Sequence, residues 1–150
     1  MEKVNCWLYP YEILATGNKV GIIECCKNII SIDQLKQKSN LSLKQYFDSS
    51  YGNENSEPYK KALTNYTESL AGYSLVCYFL QIKDRHNANI LIDNEGHIIH
   101  IDFGFIFSNA PGKGLIGFEK APFKLTNEFV EVLGGVNSKY FTKFRKLLWK

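Results

Sequence analysis

KDRHNANILIDNEGHIIHIDFG, residues 83–104, is the stretch on which the fold and chemistry of this chain turn. ILID and HIIHID are short apolar runs on either side of Asn94-Glu95-Gly96, so two strands joined by a tight turn are expected. Polar residues gather at both ends: Asp84, Arg85, His86 and Asn89 before the hairpin, Asp102-Phe103-Gly104 after it. A folding core does not need that pattern. Because a hairpin returns its exit to the level of its entrance, Asn89 and Asp102 can approach each other. An amide oxygen and a carboxylate facing one point suit Mg²⁺, which takes hard oxygen ligands and keeps several waters or phosphate oxygens. A zinc reading of His97, His100 and Asp102 is weaker, since on a strand His97 and His100 point to opposite faces.

Upstream, the spacing predicts a long helix that opens at Pro58 and runs towards Ile82. Ala62, Tyr66, Leu70, Tyr73, Cys77 and Leu80 recur at intervals of three and four and define one core face. Gly72 within it marks close packing. Tyr66, Tyr73 and Tyr78 at this spacing are read as part packing, part surface. Before a polar loop at Tyr51 to Glu57, Ser31 and Ser42 precede IDQLKQ and LKQYF, two short helical segments with N-cap chemistry. Earlier still, Tyr11 to Thr16 and Val20 to Glu24 flank Gly17-Asn18-Lys19 and predict a hairpin. Downstream, a loop from Phe105 to Pro122 precedes helices at Thr126 to Leu133, capped by Thr126, and at Lys139 to Leu148.

A chain of 150 residues is one domain's length, and 45% apolar with 22% charged residues is the usage of a chain with a buried core. A formal charge of +3 is too small to mark a nucleic-acid partner. The basic character is concentrated: Phe105 to Lys150 carries eight basic and three acidic residues, a net of +5, which leaves −2 for the first 104. Lys139, Lys143, Arg145 and Lys146 on the last helix read first as a solvated face and second as an attraction to anionic lipid. Cys6, Cys25, Cys26 and Cys77 form no CxxC pair, so a disulfide framework is not expected and a reducing cytosol is. No apolar run is long enough to span a membrane.

Protein kinases place an Asp five residues before a metal-binding Asn and follow them with DFG. Asp84, Asn89 and Asp102 keep that spacing, but Asp-Arg-His inverts the usual His-Arg-Asp. This inversion, together with HIDFG, resembles the phosphatidylinositol 3-/4-kinase superfamily. GYSLVCYFLQIKDRHNANILIDNEGHIIHIDFGF, residues 72–105, resembles the catalytic segment of its type III beta 4-kinases, as do FKLT at 123–126 and PYEILATGNKVGIIE near the start. Lys83 stands where the 3-kinases usually carry Gly; Ala88 departs from the group's usual Gly.

The resemblance implies an α+β, protein-kinase-like catalytic fold. Residues 1–27 would be the end of an N-terminal lobe and the hinge. Residues 28–150 would be part of a mainly helical C-terminal lobe, with the catalytic loop at 83–89, DFG at 102–104 and the activation loop at 102–123. It implies ATP and Mg²⁺ as cofactors, with Asn89 and Asp102 holding the metal. Ile23, Leu91 and Ile101 would wall the adenine, and Glu24 and Cys26 would meet it through their backbone groups. His86 would be base or transition-state stabiliser, Asp84 would orient the attack, and Arg85 would anchor the loop; an imidazole is suited to the task because it titrates near neutral pH. Which of Asp84 and His86 takes the proton stays open.

The expected reaction is transfer of the ATP γ-phosphoryl group to the 4-hydroxyl of phosphatidylinositol in an anionic membrane surface. Association would be peripheral, on cytosolic membrane faces such as the Golgi, with no nucleic acid involved. Other phosphoinositide kinases, a related protein Ser/Thr kinase and a non-catalytic membrane- or partner-binding fragment are the alternatives. Met1 to Pro10 supplies neither a phosphate-covering loop nor a strand Lys, so these N-terminal-lobe elements are expected to be missing partners and the chain alone to have little or no catalytic rate.

Overall fold

The computed structural model describes residues 5–107 and 121–149. The fold is a mixed α+β arrangement of two small antiparallel sheets and five helices among the described residues. Strands β1 (Ile13–Gly17) and β2 (Val20–Ile23) pair antiparallel with an irregularity between Ala15 and Gly17. The Asn18-Lys19 turn is where the sequence places it. This ribbon leaves Ile13, Leu14, Val20, Ile22 and Ile23 exposed.

The second sheet has the order β3-β4-β5, with β3 (Ile29–Ser31), β4 (Ile90–Asp93) and β5 (Ile98–His100) all antiparallel. β4 and β5 are the hairpin read from the sequence. β3 is an addition, because three residues offer no periodicity and only the pairing of Ile29–Ser31 with Leu91–Asp93 reveals it.

Helix boundaries follow from caps. Ser31 accepts from the Gln34 N–H and opens α1 (Ile32–Ser39); Ser42 opens α2 (Leu43–Tyr51) with a full capping box to Gln45. Ser56 caps α3 (Glu57–Leu80), so Pro58 falls in its first turn. Thr126 caps α4 (Asn127–Val132), and α5 spans Lys139–Trp149. Of the predicted α3 stripe, all but Leu80 are buried; Leu80 lies in the last turn with Tyr78 and Phe79, where the helix emerges from the core.

The core lies between α3, α5 and the three-stranded sheet, with Phe47, Tyr66, Leu70, Ile90, Ile98 and Phe144 among its fully buried members. Two glycines permit close approach. A Cβ on Gly72 would lie 2.6 Å from the Trp7 carbonyl oxygen, and one on Gly96, at φ +90°, 2.8 Å from that of Ala62. Buried Ser69 on α3 ties helix to sheet by accepting the Ile98 N–H at 2.8 Å while donating to the Asn65 carbonyl. No helix among the described residues is long and apolar enough to cross a membrane.

Candidate active site

The segment from Ile82 to Asn89 is irregular, and its shape is held by side chains. Arg85 is buried and donates to three carbonyls: Lys83 O at 3.1 Å, Ile101 O at 2.7 Å, and Asp102 O. Its guanidinium also stands 5.5 Å from the Phe103 ring centre. One side chain therefore binds the loop before the hairpin to the segment after it. Backbone bonds run the same way, with Lys83 N–H to Phe105 O at 2.9 Å and Ile101 N–H to Asn89 O at 3.1 Å.

Asp84 and Asp102 both occupy the left-handed region, at φ +61° and +57°. Non-glycine residues there are uncommon and gather at functional sites, although Asp tolerates the conformation better than most. Asn89 is buried; its Nδ2 donates to the Asp84 carbonyl at 2.9 Å and lies 3.1 Å from His86 Nε2. An amide nitrogen only donates, so Nε2 is the acceptor and the His86 proton sits on Nδ1. His86 is half-exposed, with Nε2 3.9 Å from Asp84 Oδ2.

The same bonds orient the Asn89 amide. With Nδ2 engaged, Oδ1 carries no hydrogen bond among the described residues. It is not sealed either, since the only buried side-chain polar atom left without a partner among them is His100 Nε2. The exposed Asp102 carboxylate follows directly on Ile101, whose N–H is bonded to Asn89. Among the described residues no three His, Cys, Asp or Glu side chains gather round a point. Two hard oxygens and few other protein ligands suit Mg²⁺, which retains water and phosphate oxygens, and do not suit a closed zinc site.

A cleft of about 710 Å³ opens between the β1–β2 ribbon and the three-stranded sheet. Its lining includes Ile23, Glu24, Cys26, Leu91, Ile101 and Asp102. All five residues assigned to the nucleotide from the sequence lie on this one cleft, together with one of the two assigned to metal. Tyr11, Cys25 and Ile29 complete the lining. The Tyr11 ring lies nearly parallel to Phe103 at 6.5 Å. The Glu24 carboxylate accepts from Tyr9 Oη and from the Glu12 N–H, which fixes the segment after β2. Neither the Glu24 carbonyl nor the Cys26 N–H is used by a backbone–backbone hydrogen bond among the described residues.

A second pocket, of about 590 Å³, lies between Asp84-Arg85-His86 and residues 121–126. The sequence does not reveal two bonds that staple these walls, Lys83 Nζ to Ala121 O at 3.1 Å and Lys124 Nζ to Asn87 Oδ1 at 3.0 Å, because they join residues 37–38 positions apart. The activation-loop reading over 102–123 falls mostly outside the described residues.

The two other histidines are structural. His97 Nδ1 is 2.8 Å from Asp93 Oδ2 and its ring is stacked on Trp7. Burial pushes the Asp93 carboxyl up, but hydrogen bonds from His97 outweigh it and leave the group below its ordinary value. His100 stacks on Tyr73 at 4.7 Å and lies 3.6 Å from Cys77 Sγ. Burial, then the charges of Arg85 and Lys124, lower its pKa to about 3.

The cleft lined by Asp102 and the pocket lined by Asp84 and His86 are linked through Arg85, which lines the second and donates to the Asp102 carbonyl. The chain belongs to the phosphatidylinositol 3- and 4-kinase family, whose model matches residues 32–150. Within that family it is similar to phosphatidylinositol 4-kinase beta of Danio rerio, Rattus norvegicus and Xenopus tropicalis, with 50% identity to each over 147 residues, 98% of this chain. It spans only 17–18% of the length of those relatives.

Proposed function

We propose that this chain carries the phosphoryl-transfer centre of a phosphatidylinositol 4-kinase. The β1–β2 ribbon is then the end of the small lobe of a protein-kinase-like fold, residues 24–27 its hinge, and residues 28–150 part of the large lobe. The observation that carries the reading is the convergence of Ile23, Glu24, Cys26, Leu91, Ile101 and Asp102 on one cleft, next to a separate pocket walled by Asp84 and His86. An apolar slot with a carboxylate at one end fits a purine and its phosphates.

Ile23, Leu91 and Ile101 sandwich the adenine, and the backbone at Glu24 and Cys26 meets its polar edge. Asn89 Oδ1 and the Asp102 carboxylate hold Mg²⁺, which when bound neutralises charge on the phosphate oxygens. The inositol enters the second pocket. His86, with its proton on Nδ1, receives the hydroxyl proton at Nε2 once the acceptor hydroxyl displaces the Asn89 Nδ2 hydrogen bond from that lone pair; Asp84 favours the resulting imidazolium. Arg85 keeps the Asp102 turn and the catalytic loop at fixed separation, the condition for in-line transfer. Membrane contact follows from the acceptor, a lipid headgroup, and is peripheral.

The test is the destination of the phosphate. Incubated with γ-labelled ATP, Mg²⁺, phosphatidylinositol vesicles and a Ser/Thr peptide, in an assay sensitive to single turnovers, the protein transfers little label, and what it transfers lies on the inositol 4-hydroxyl. Label on the peptide, or lipid label that persists in Asp102→Ala, overturns the reading.

A further inference from the structure

The described segment before β1 is neither helix nor strand, yet it is tied down at Trp7 and Tyr9. The Trp7 N–H donates to the Glu68 carbonyl on α3 at 3.2 Å, and its ring stacks on His97 with 3.9 Å between centres. The Tyr9 N–H donates to Tyr73 Oη, also on α3, at 3.2 Å. From there the Tyr9 side chain reaches the residue that follows β2. Its hydroxyl donates to Glu24 Oε1 at 3.2 Å, while the Glu12 N–H donates to Glu24 Oε2 at 2.9 Å. The Glu24 N–H donates in return to the Glu12 carbonyl at 2.9 Å. Both oxygens of one carboxylate are therefore engaged by the segment that crosses α3.

Tyr9 does not line the cleft of about 710 Å³, but it joins two parts of the structure that do. Glu24 and Cys26 line it from the end of the ribbon, and Ile101 from the end of the three-stranded sheet. His100, next to Ile101, stacks on the same Tyr73 whose hydroxyl accepts from Tyr9, with 4.7 Å between ring centres. One residue thus links the backbone after β2 to the floor built on α3 and β5. Adenine offers a donor at N6 where guanine offers an acceptor at O6, so a carbonyl and an N–H held at fixed spacing favour one base over the other. Backbone outside regular structure keeps such a spacing only where side chains hold it.

We propose that Tyr9 positions the base-reading backbone of the nucleotide site: by joining the Glu24 carboxylate to Tyr73 it holds residues 24–26 where they meet the adenine edge. This rests on the nucleotide-cleft reading above and adds to it a residue outside the cleft that sets base selectivity. Tyr9 is a positioning residue, not a ligand of the nucleotide.

The experiment compares the full chain with Tyr9→Phe, Glu24→Ala, the two combined, Glu24→Gln and, as a control for loss of a hydroxyl, Tyr78→Phe at the exposed end of α3. Binding of MgATP, MgGTP and magnesium tripolyphosphate is measured by calorimetry, and urea unfolding reports on integrity. Tyr9→Phe weakens MgATP about threefold, the scale of one exposed hydrogen bond, and leaves tripolyphosphate unchanged. The preference for ATP over GTP falls by the same factor. Glu24→Ala, which loses both bonds, weakens MgATP about tenfold, and adding Tyr9→Phe to it changes nothing further because the acceptor is already gone. Glu24→Gln stays within about twofold of wild type, since an amide offers an oxygen to the Glu12 N–H and an N–H to the Tyr9 oxygen. Tyr78→Phe shows no effect.

MgATP binding by Tyr9→Phe within about 1.5-fold of wild type overturns the proposal, as does a loss that tripolyphosphate shares equally. Additive losses in the combined variant overturn the Tyr9–Glu24 link, and so does a loss in Glu24→Gln equal to that in Glu24→Ala. Where Glu24→Ala fails to fold, the split between MgATP and tripolyphosphate in Tyr9→Phe decides alone. Wild type that binds no MgATP defeats the cleft reading, and this inference with it; wild type that binds MgATP beside an unchanged Tyr9→Phe defeats this inference only.

Discussion

Replacing Arg85 by Met keeps a stem of similar length and removes the guanidinium. In the native protein Arg85 is 3% exposed, and it supplies donors to the carbonyls of Lys83, Ile101 and Asp102. Hydrogen bonds from a charged group contribute about 1.5–3 kcal/mol each, and a buried carbonyl left without a partner costs about 1–3 kcal/mol. The three bonds come from one guanidinium and are not additive, and water reaches the exposed Asp102 turn. The expected loss is therefore well below the sum, at about 3–5 kcal/mol.

Chemical unfolding in urea followed by circular dichroism gives that difference directly; for a chain of this size each kcal/mol also moves the thermal midpoint by about 2–4 °C. Arg85→Lys is the sharper variant. An ammonium cannot span three carbonyls with fork geometry, so it recovers less than half of the loss. Loss under about 1 kcal/mol in Arg85→Met, or full recovery in Arg85→Lys, refutes the claim that this one side chain joins the loop to the Asp102 turn.

Four further outcomes follow from the same structure. Gly72→Ala destabilises by about 1–3 kcal/mol in urea, because the clash with the Trp7 carbonyl exceeds the gain of about 1 kcal/mol in helix propensity; a stabilised variant contradicts the packing. Ser69→Ala leaves the buried Ile98 N–H without its acceptor and costs about 1–3 kcal/mol, whereas Ser39→Ala, at an exposed position of α1, changes little. The Asp93 carboxyl titrates lower in the folded chain than in the unfolded one, so its stabilisation is present above the ordinary carboxylate range and fades as pH falls through it. The gap between wild type and Asp93→Asn is accordingly larger at pH 6 than at pH 3, and a pH-independent gap argues against the His97 pairing. Adenine nucleotide with Mg²⁺ slows iodoacetamide labelling of Cys25 and Cys26, which line the cleft, and leaves Cys6 unchanged, as read by peptide mass spectrometry; equal labelling with and without nucleotide denies the cleft its ligand.

The features legible in the sequence are those encoded locally. Ser31, Ser42 and Thr126 mark helix starts because a cap is a contact between residues three apart, and the β4–β5 hairpin is legible from apolar runs around a turn. Asp84, Asn89 and Asp102 stand out as candidates by their spacing, whereas Ile23, Glu24, Cys26, Leu91 and Ile101 follow only from the family likeness; the cleft collects these five although they come from separate parts of the chain. What is not legible is set by contacts distant in sequence. β3 becomes a strand only through β4; Ser69 is an ordinary helix residue until Ile98 is placed beside it; and the Lys124–Asn87 bond depends on how residues 121–126 return to the catalytic loop. His100 illustrates the same limit, since a histidine in an apolar run gives no sign that its ring will be enclosed by Tyr73 and Cys77 with Nε2 unpartnered.

The central claim is that Asn89 and Asp102 turn the cleft into a metal-dependent nucleotide site. Calorimetric titration of the chain with ATP, with and without Mg²⁺, in wild type, Asn89→Ala and Asp102→Ala, tests it most directly. The account predicts that Mg²⁺ tightens ATP binding to wild type at least tenfold, about 1.4 kcal/mol, and that either substitution removes most of this gain while leaving metal-free binding in place. ATP binding indifferent to Mg²⁺, or a Mg²⁺ effect undiminished in Asp102→Ala, would contradict it.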